Sequence, residues 1–212
     1  MSRSSRHFVH PATDAAVALR LYGKRVMLRP ITAQDFEDWS EVRKRNGDWL
    51  LVWEPRMSIV SPDPAENRDA FVSRCGARDR ERTVGTNFSF GLFVNGRCVG
   101  EVNLNNVLRG AAQCATIGYW IDKAHAGNGY VAEAVVVLAR FAFDELRLHR
   151  LEICIIPRNT NSRRVMQKLN FREEGTAERF LEINGVWEDH VRYGFTVEEW
   201  AQRAEELSVA WL

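Results

Sequence analysis

Between Ala115 and Val135 the chain reads ATIGYWIDKAHAGNGYVAEAV: branched and aromatic residues, then Gly127-Asn128-Gly129, then a run with helical periodicity. Strand, glycine turn and helix in that order present free backbone N–H groups and the positive end of a helix to an anion. Glycine there lets a phosphate come close to the chain. The spacing Gly127-x-Gly129-x-x-Ala132 also meets the loose dinucleotide fingerprint. Two features oppose a nicotinamide enzyme. The loop comes after more than half of the chain, and an antiparallel hairpin stands where a second βαβαβ half belongs. No Gly-Lys-Ser/Thr follows, so an ATP-gripping loop is excluded as well. Taken alone, the loop is either a phosphate cradle or a plain tight turn. Further on, IIPRNTNSRRVMQKLNF sets Asn159 and Ser162 at the start of another helix directly after a strand, with Arg163 and Arg164 beside them.

The elements that must position these residues follow from pattern. KRVMLRP is a first strand, stopped at Pro30. ITAQDFEDWSEVRKRN places Phe36, Trp39 and Val42 on one helical face. GDWLLVWEPRMSIVSPDPAEN, Gly47 to Asn67, is a proline-rich loop carrying tryptophans, and a second helix runs roughly from Ala65 to Arg80. TNFSFGLFV and RCVGEVNLN flank Asn95-Gly96, a two-residue hairpin turn. A turn-rich NNVLRGAAQ leads to the strand ATIGYWI, and the helix after the glycine loop extends from Val131 to about Glu145. LHRLEICII returns as a strand, closing a β-α-β unit. A helix over Asn159 to Leu169 precedes two strands joined at Asn184-Gly185. Thr196 and Glu199 are spaced as a capping box that starts a last helix. The expected organisation is a flexible extension over 1–20, a single domain over 21–205 and a tail over 206–212.

Composition narrows the function classes. With 29 basic and 28 acidic residues and a net charge of +1, the chain has neither the excess that drives counterion release from nucleic acid nor a polybasic membrane patch. MSRSSRHFVHPATD lacks an apolar core and reads as neither signal peptide nor anchor, which makes the cytoplasm the default location. Cys75, Cys98, Cys114 and Cys154 form no close pair and suit reduced thiols; no metal site is expected.

The motifs MLRP, WLLVWEP, CVGEVNL, IGYWIDKAHAGNGYVAEAV, LHRLEI, NTNSRRVMQKLNF with EEG after it, and WEDHVRYGF occur in one order over Leu21 to Trp200. In this the chain resembles the GNAT N-acetyltransferases, in the branch of the ribosomal-protein-alanine N-acetyltransferases. The resemblance implies an α+β fold with a central mixed sheet flanked by helices and a V-shaped splay between two parallel strands, here ATIGYWI and LHRLEICII. It also implies acetyl-CoA as donor. Backbone groups around Trp120, Ile121, Asp122 and Lys123 would pair with the pantetheine arm. The N–H groups of Ala126, Gly127, Asn128, Gly129, Tyr130 and Val131 would hold the diphosphate, with Asn159, Ser162 and Arg164 also at the cofactor. Where the family has Arg or Gln at the loop's start, this chain has Ala124, so that contact is absent or comes from Lys123 or His125. Asn170 replaces a customary glycine.

The implied reaction is direct attack of an amine on the thioester, with a backbone N–H near Ile121 stabilising the oxyanion. Ser162 or Tyr119 would protonate the leaving thiolate. Glu101 is the candidate general base through water, with an outward-facing charge as its alternative. A terminal α-amine ionises at about 7.7 to 8.0 against roughly 10.4 for lysine, which favours the N-terminus of a protein or peptide as acceptor, a ribosomal protein being one possibility. Trp49, Trp53, Glu54, Glu101, Asn103 and His190 would contact that acceptor. Acetylation of a small amine, or a non-catalytic CoA-binding module, are the alternatives. Nothing in the sequence decides between monomer and homodimer, and neither a membrane nor direct nucleic-acid contact is expected.

Overall fold

In the computed structural model, which describes residues 19–55 and 62–212, the chain begins with two short strands, β1 (Leu21–Tyr22) and β2 (Val26–Arg29). Pro30 follows β2 directly, as its missing N–H and restricted neighbour require. Helix α1 (Phe36–Arg45) carries Glu37 and Asp38 in its first turn and Arg43, Lys44 and Arg45 in its last, the arrangement that complements the helix dipole. A single turn, α2 (Gly47–Leu50), continues it. The second long helix, α3 (Arg68–Val84), starts later than its pattern suggests. Asn67 accepts a hydrogen bond from the Ala70 N–H and is the N-cap, so Ala65 stays in the turn before it. Gly85, at φ 81°, ends the helix in the left-handed conformation.

Strands β3 (Phe88–Val94) and β4 (Arg97–Leu108) form the expected hairpin, with Asn95 and Gly96 at φ 50° and 79°. NNVL, read from sequence as turn, belongs to β4. The strand absorbs it through an irregularity between Asn105 and Leu108, where Asn106 takes φ 53°. After β5 (Cys114–Ile121) and the glycine loop comes α4 (Tyr130–Arg140), whose continuation over Phe141–Glu145 is a π-helical turn. β6 (Arg150–Ile155), α5 (Thr160–Lys168), β7 (Arg172–Ile183) and β8 (Val186–Thr196) complete the sheet, and Asn184-Gly185 turns the last hairpin. The capping box of Thr196 and Glu199 starts α6 (Val197–Trp211).

The residues from 206 on are therefore not a tail. Leu207 is buried and Trp211 and Leu212 pack on the core, because α6 presents an apolar stripe that has no other cover. The expected extension lies outside the described residues up to position 18; Leu19 already packs on the core.

The eight strands among the described residues make one sheet in the order β1-β2-β3-β4-β5-β6-β8-β7, antiparallel except between β5 and β6. α4 and α6 pack with one face, where Leu28, Phe90, Val102, Val135, Leu138, Leu151 and Phe195 form the larger core. α1 and α3 cover part of the other, over Trp39, Phe71, Phe93 and Cys98. This is the mixed α/β sheet with flanking helices that the sequence implies. β5 and β6 pair only from Cys114 to Thr116 with Arg150 to Glu152. Beyond that point β5 stays with β4 and β6 with β8, so the two parallel strands part in a V.

Candidate active site

A cavity of about 520 Å³ occupies this V. Tyr119, Trp120 and Ile121 of β5 form one wall; Trp49 of α2, with Trp53 and Glu54 just after that helix, forms another. The remainder comes from Ala126, Gly127, Gly129 and Tyr130 of the loop and from Asn159, Ser162, Arg164, Val165 and Lys168 around α5.

The loop is held from below by one carboxylate. Asp122 is buried and accepts from Arg45 Nη2 at 2.5 Å, Asn46 Nδ2 at 2.8 Å, the Ala124 N–H at 3.2 Å and His125 Nδ1 at 3.0 Å. Burial by itself would raise its pKa; these donors outweigh it and hold the carboxyl well below the usual carboxylate range. Asn46 also accepts from the Lys123 N–H at 2.9 Å, so α1 and the loop form one rigid piece. At the loop's far end Glu133, fully buried in α4, takes the N–H of Val26 at 3.0 Å and Arg25 Nε at 2.8 Å. That clasp fixes the helix start against β2. Gly127 and Gly129 sit at φ 82° and 83°, conformations that cost a residue with a β-carbon. Among the described residues no acceptor meets the N–H groups of Gly127, Asn128, Gly129, Tyr130 and Val131. Five idle donors at the start of an 11-residue helix suit an anion such as a diphosphate.

The structure sorts the residues expected at the cofactor. Trp120, Ile121, Ala126, Gly127, Gly129, Tyr130, Val131, Asn159, Ser162 and Arg164 line the cavity. Asp122 serves the loop's architecture. Backbone groups expected to face the pantetheine arm are partly engaged: the Ile121 carbonyl accepts from Trp49 Nε1, the Asp122 N–H donates to Val99 O, and the Lys123 N–H goes to Asn46. Lys123 holds its ammonium 5.6 Å from the Trp49 ring, and Asn128 turns its amide onto the carbonyls of His125 and Ala126. Asn159 caps α5 by accepting from the Ser162 N–H at 3.1 Å.

The candidates for chemistry divide in the same way. The Tyr119 hydroxyl donates to the Ser162 carbonyl at 3.4 Å, so these two stand together in the cavity wall. Burial pushes the Tyr119 phenol well above its ordinary value, so it stays a proton donor. Glu101 is elsewhere. Its 1% exposed carboxylate meets Arg74 at 2.8 Å, Arg78 at 2.7 Å and Trp39 Nε1 at 2.5 Å, beneath α1 and α3. Burial opposes its charge, but the two guanidinium groups overcome that and bring its pKa to about 2. A carboxylate held so far below neutrality is a poor proton acceptor, and Glu101 lines no part of the cavity.

Of the residues expected at the acceptor, Trp49, Trp53 and Glu54 line the cavity, and Glu54 is gripped by both Nη atoms of Arg43 at 2.8 and 2.7 Å. Asn103 accepts from the Phe90 N–H within the sheet, and His190 is buried with Nδ1 at the Glu188 carbonyl, so neither reaches it. The sequence pattern missed Asn46, Arg25, Glu133 and Lys168. Only Lys168 carried a local signal: Asn161, Val165 and Lys168 are spaced as one helical face and all three line the cavity. Among the described residues no group of three His, Cys, Asp or Glu side chains could hold a metal, and no helix is long and apolar enough to cross a membrane.

Comparison with known proteins agrees with this geometry. The acetyltransferase (GNAT) domain model matches residues 25–172. YjcK of Bacillus subtilis (strain 168), named as a probable N-acetyltransferase, is 37% identical over 80% of this chain and 93% of its own. The [ribosomal protein uS5]-alanine N-acetyltransferase of Escherichia coli (strain K12) is 28% identical over 86% and 93%. Mycobacterium smegmatis RimJ in complex with CoA-disulfide superposes with a TM-score of 0.81 at 32% identity, over 91% of this chain and 93% of that one. The family model covers most of the chain and these relatives match it nearly end to end, so the chain belongs to the GNAT acetyltransferase superfamily, close to the ribosomal-protein acetyltransferases.

Proposed function

We propose that this protein transfers the acetyl group of acetyl-CoA to the N-terminal α-amine of a protein or peptide, with a ribosomal protein as a natural candidate. The observation that carries the choice of amine is the state of the carboxylates. Among the described residues that line the cavity the only one is Glu54, and it is committed to Arg43. Glu101 is committed to Arg74 and Arg78. An acceptor that already arrives neutral needs least from such a site. At pH 7 roughly one α-amine in seven is neutral, against about one lysine side chain in 2,500. The relative that acts on the alanine of ribosomal protein uS5 supports the same class of acceptor.

The residues fit the donor. The cavity volume is that of a small-molecule site, and the idle N–H groups from Gly127 to Val131 would hold the diphosphate. Acetyl-CoA supplies the activated acyl group. Trp49 and Trp53 would place the acceptor chain, and the β5 backbone beyond Thr116, unpaired on the side facing β6, would position the thioester carbonyl. Tyr119, kept protonated by burial, and Ser162 would donate the proton that the departing sulfur requires.

Purified protein with acetyl-CoA and short peptides beginning in Ser, Ala, Thr or Met tests this through thiol release. Release is expected with a free α-amine and not with α-acetylated peptides that retain a lysine. Equal release from the α-acetylated set would overturn the choice of amine.

A further inference from the structure

Two cations converge on the glycine turn from elements far apart in sequence. A β-carbon placed on Gly129 would lie 3.4 Å from Arg25 Nη2 and 3.4 Å from Lys168 Nζ. Arg25 spends Nε on Glu133 and Nη1 on the Asn128 carbonyl at 3.1 Å, while Nη2 meets no acceptor among the described residues. Lys168 likewise has no carboxylate partner among them. Its ammonium lies 5.0 Å from the centre of the Trp211 ring, in the last turn of α6. Like charges with unused N–H bonds, turned to one point beside a run of idle backbone donors, are what a bound anion would stabilise. Ala124, before the loop, has no charge to offer.

We infer that Arg25 and Lys168 are the side chains that grip the diphosphate of the acetyl donor at Gly129, and that Trp211 is a positioning residue which holds Lys168 there. This rests on the acetyl-CoA reading above. The cation–π contact keeps a flexible, solvent-exposed lysine over the site, and the Trp211 carbonyl, accepting from the Lys24 N–H, ties the end of α6 to the segment that carries Arg25. The last turn of the chain thereby becomes part of the donor site.

Calorimetric titration of the full chain with acetyl-CoA and with its 3′-dephospho form tests the assignment. Lys168→Gln, at an exposed position that does not threaten folding, is expected to weaken both ligands by about tenfold, the loss of one charge-assisted contact. Trp211→Ala should raise the KM for acetyl-CoA several-fold while kcat and the acceptor KM stay put. Trp211→Phe should restore it, and Trp211→Ala should add nothing in the Lys168→Gln background. Unchanged affinity in Lys168→Gln would overturn the inference, as would a loss seen with acetyl-CoA and absent with the dephospho form, which would place the lysine at the 3′-phosphate. Failure of the unaltered protein to bind acetyl-CoA would instead remove the acetyltransferase reading itself.

Discussion

Replacing Glu101 by Gln separates a structural carboxylate from a catalytic one. The side chain keeps its size and an oxygen for Trp39, but leaves Arg74 and Arg78 without their counter-charge. The folded-state pKa is lowered from 4.5 to about 2, so the ionised form is favoured by about 3 kcal/mol, near the cost of breaking a buried ion pair. A depressed carboxylate contributes stability that is complete above its unfolded value near 4.5 and is lost as pH falls through about 2. Urea unfolding should therefore show E101Q less stable than the parent by about 3 kcal/mol at pH 7, or roughly 6–12 °C in Tm, with the gap closing as the pH is taken from 4.5 toward 2. Under conditions where the variant is folded, kcat at pH 8 should remain within about threefold of the parent. General-base catalysis is worth on the order of 10²- to 10⁴-fold. A variant that melts like the parent and loses that much in kcat would refute this reasoning and return Glu101 to the reaction.

Three further outcomes follow from the geometry. Gly129→Ala should cost about 1–2 kcal/mol through its left-handed backbone and set a methyl group in contact with Arg25 and Lys168 where the diphosphate would lie, and isothermal titration should show acetyl-CoA affinity falling with it. Tyr119→Phe should lower kcat on the order of 10²-fold in a thiol-release assay, with little change in the KM for acetyl-CoA, since it removes a proton donor and not a binding surface. Cys98, buried and with its thiol pushed up to about 12 chiefly by burial, should resist a disulfide reagent at pH 8 until the protein is unfolded, as mass spectrometry of the labelled chain would show.

Local chemistry was legible in the sequence. The Asn95-Gly96 and Asn184-Gly185 turns, the Thr196–Glu199 capping box and the strand, glycine loop and helix each depend on residues within a few positions of one another. The same is true of Asn159 at the start of α5, whose partner is three residues away. The family likeness rested on the order of these motifs, and the splayed mixed sheet followed from it. Turn chemistry was misleading at NNVL, because a bulge lets polar residues remain in a strand that tertiary pairing extends.

What the fold alone decided is which charges meet. In sequence Glu101 is a carboxylate on a strand; it is a buried counter-ion because α1 and α3 bring Trp39, Arg74 and Arg78 over the sheet at that point. Asp122 lies beside the loop it was expected to serve as a ligand contact, but Arg45 and Asn46 arrive from α1 and turn it into the loop's anchor. Arg25, Lys168 and Trp211 converge on Gly129 from the bend before β2, from α5 and from α6, and the 42 residues between Lys168 and Trp211 carry no pattern that relates them. An ionised side chain is neutral ground for any periodicity: its role depends on its partner and on whether water is excluded there, and both are properties of the assembled tertiary structure.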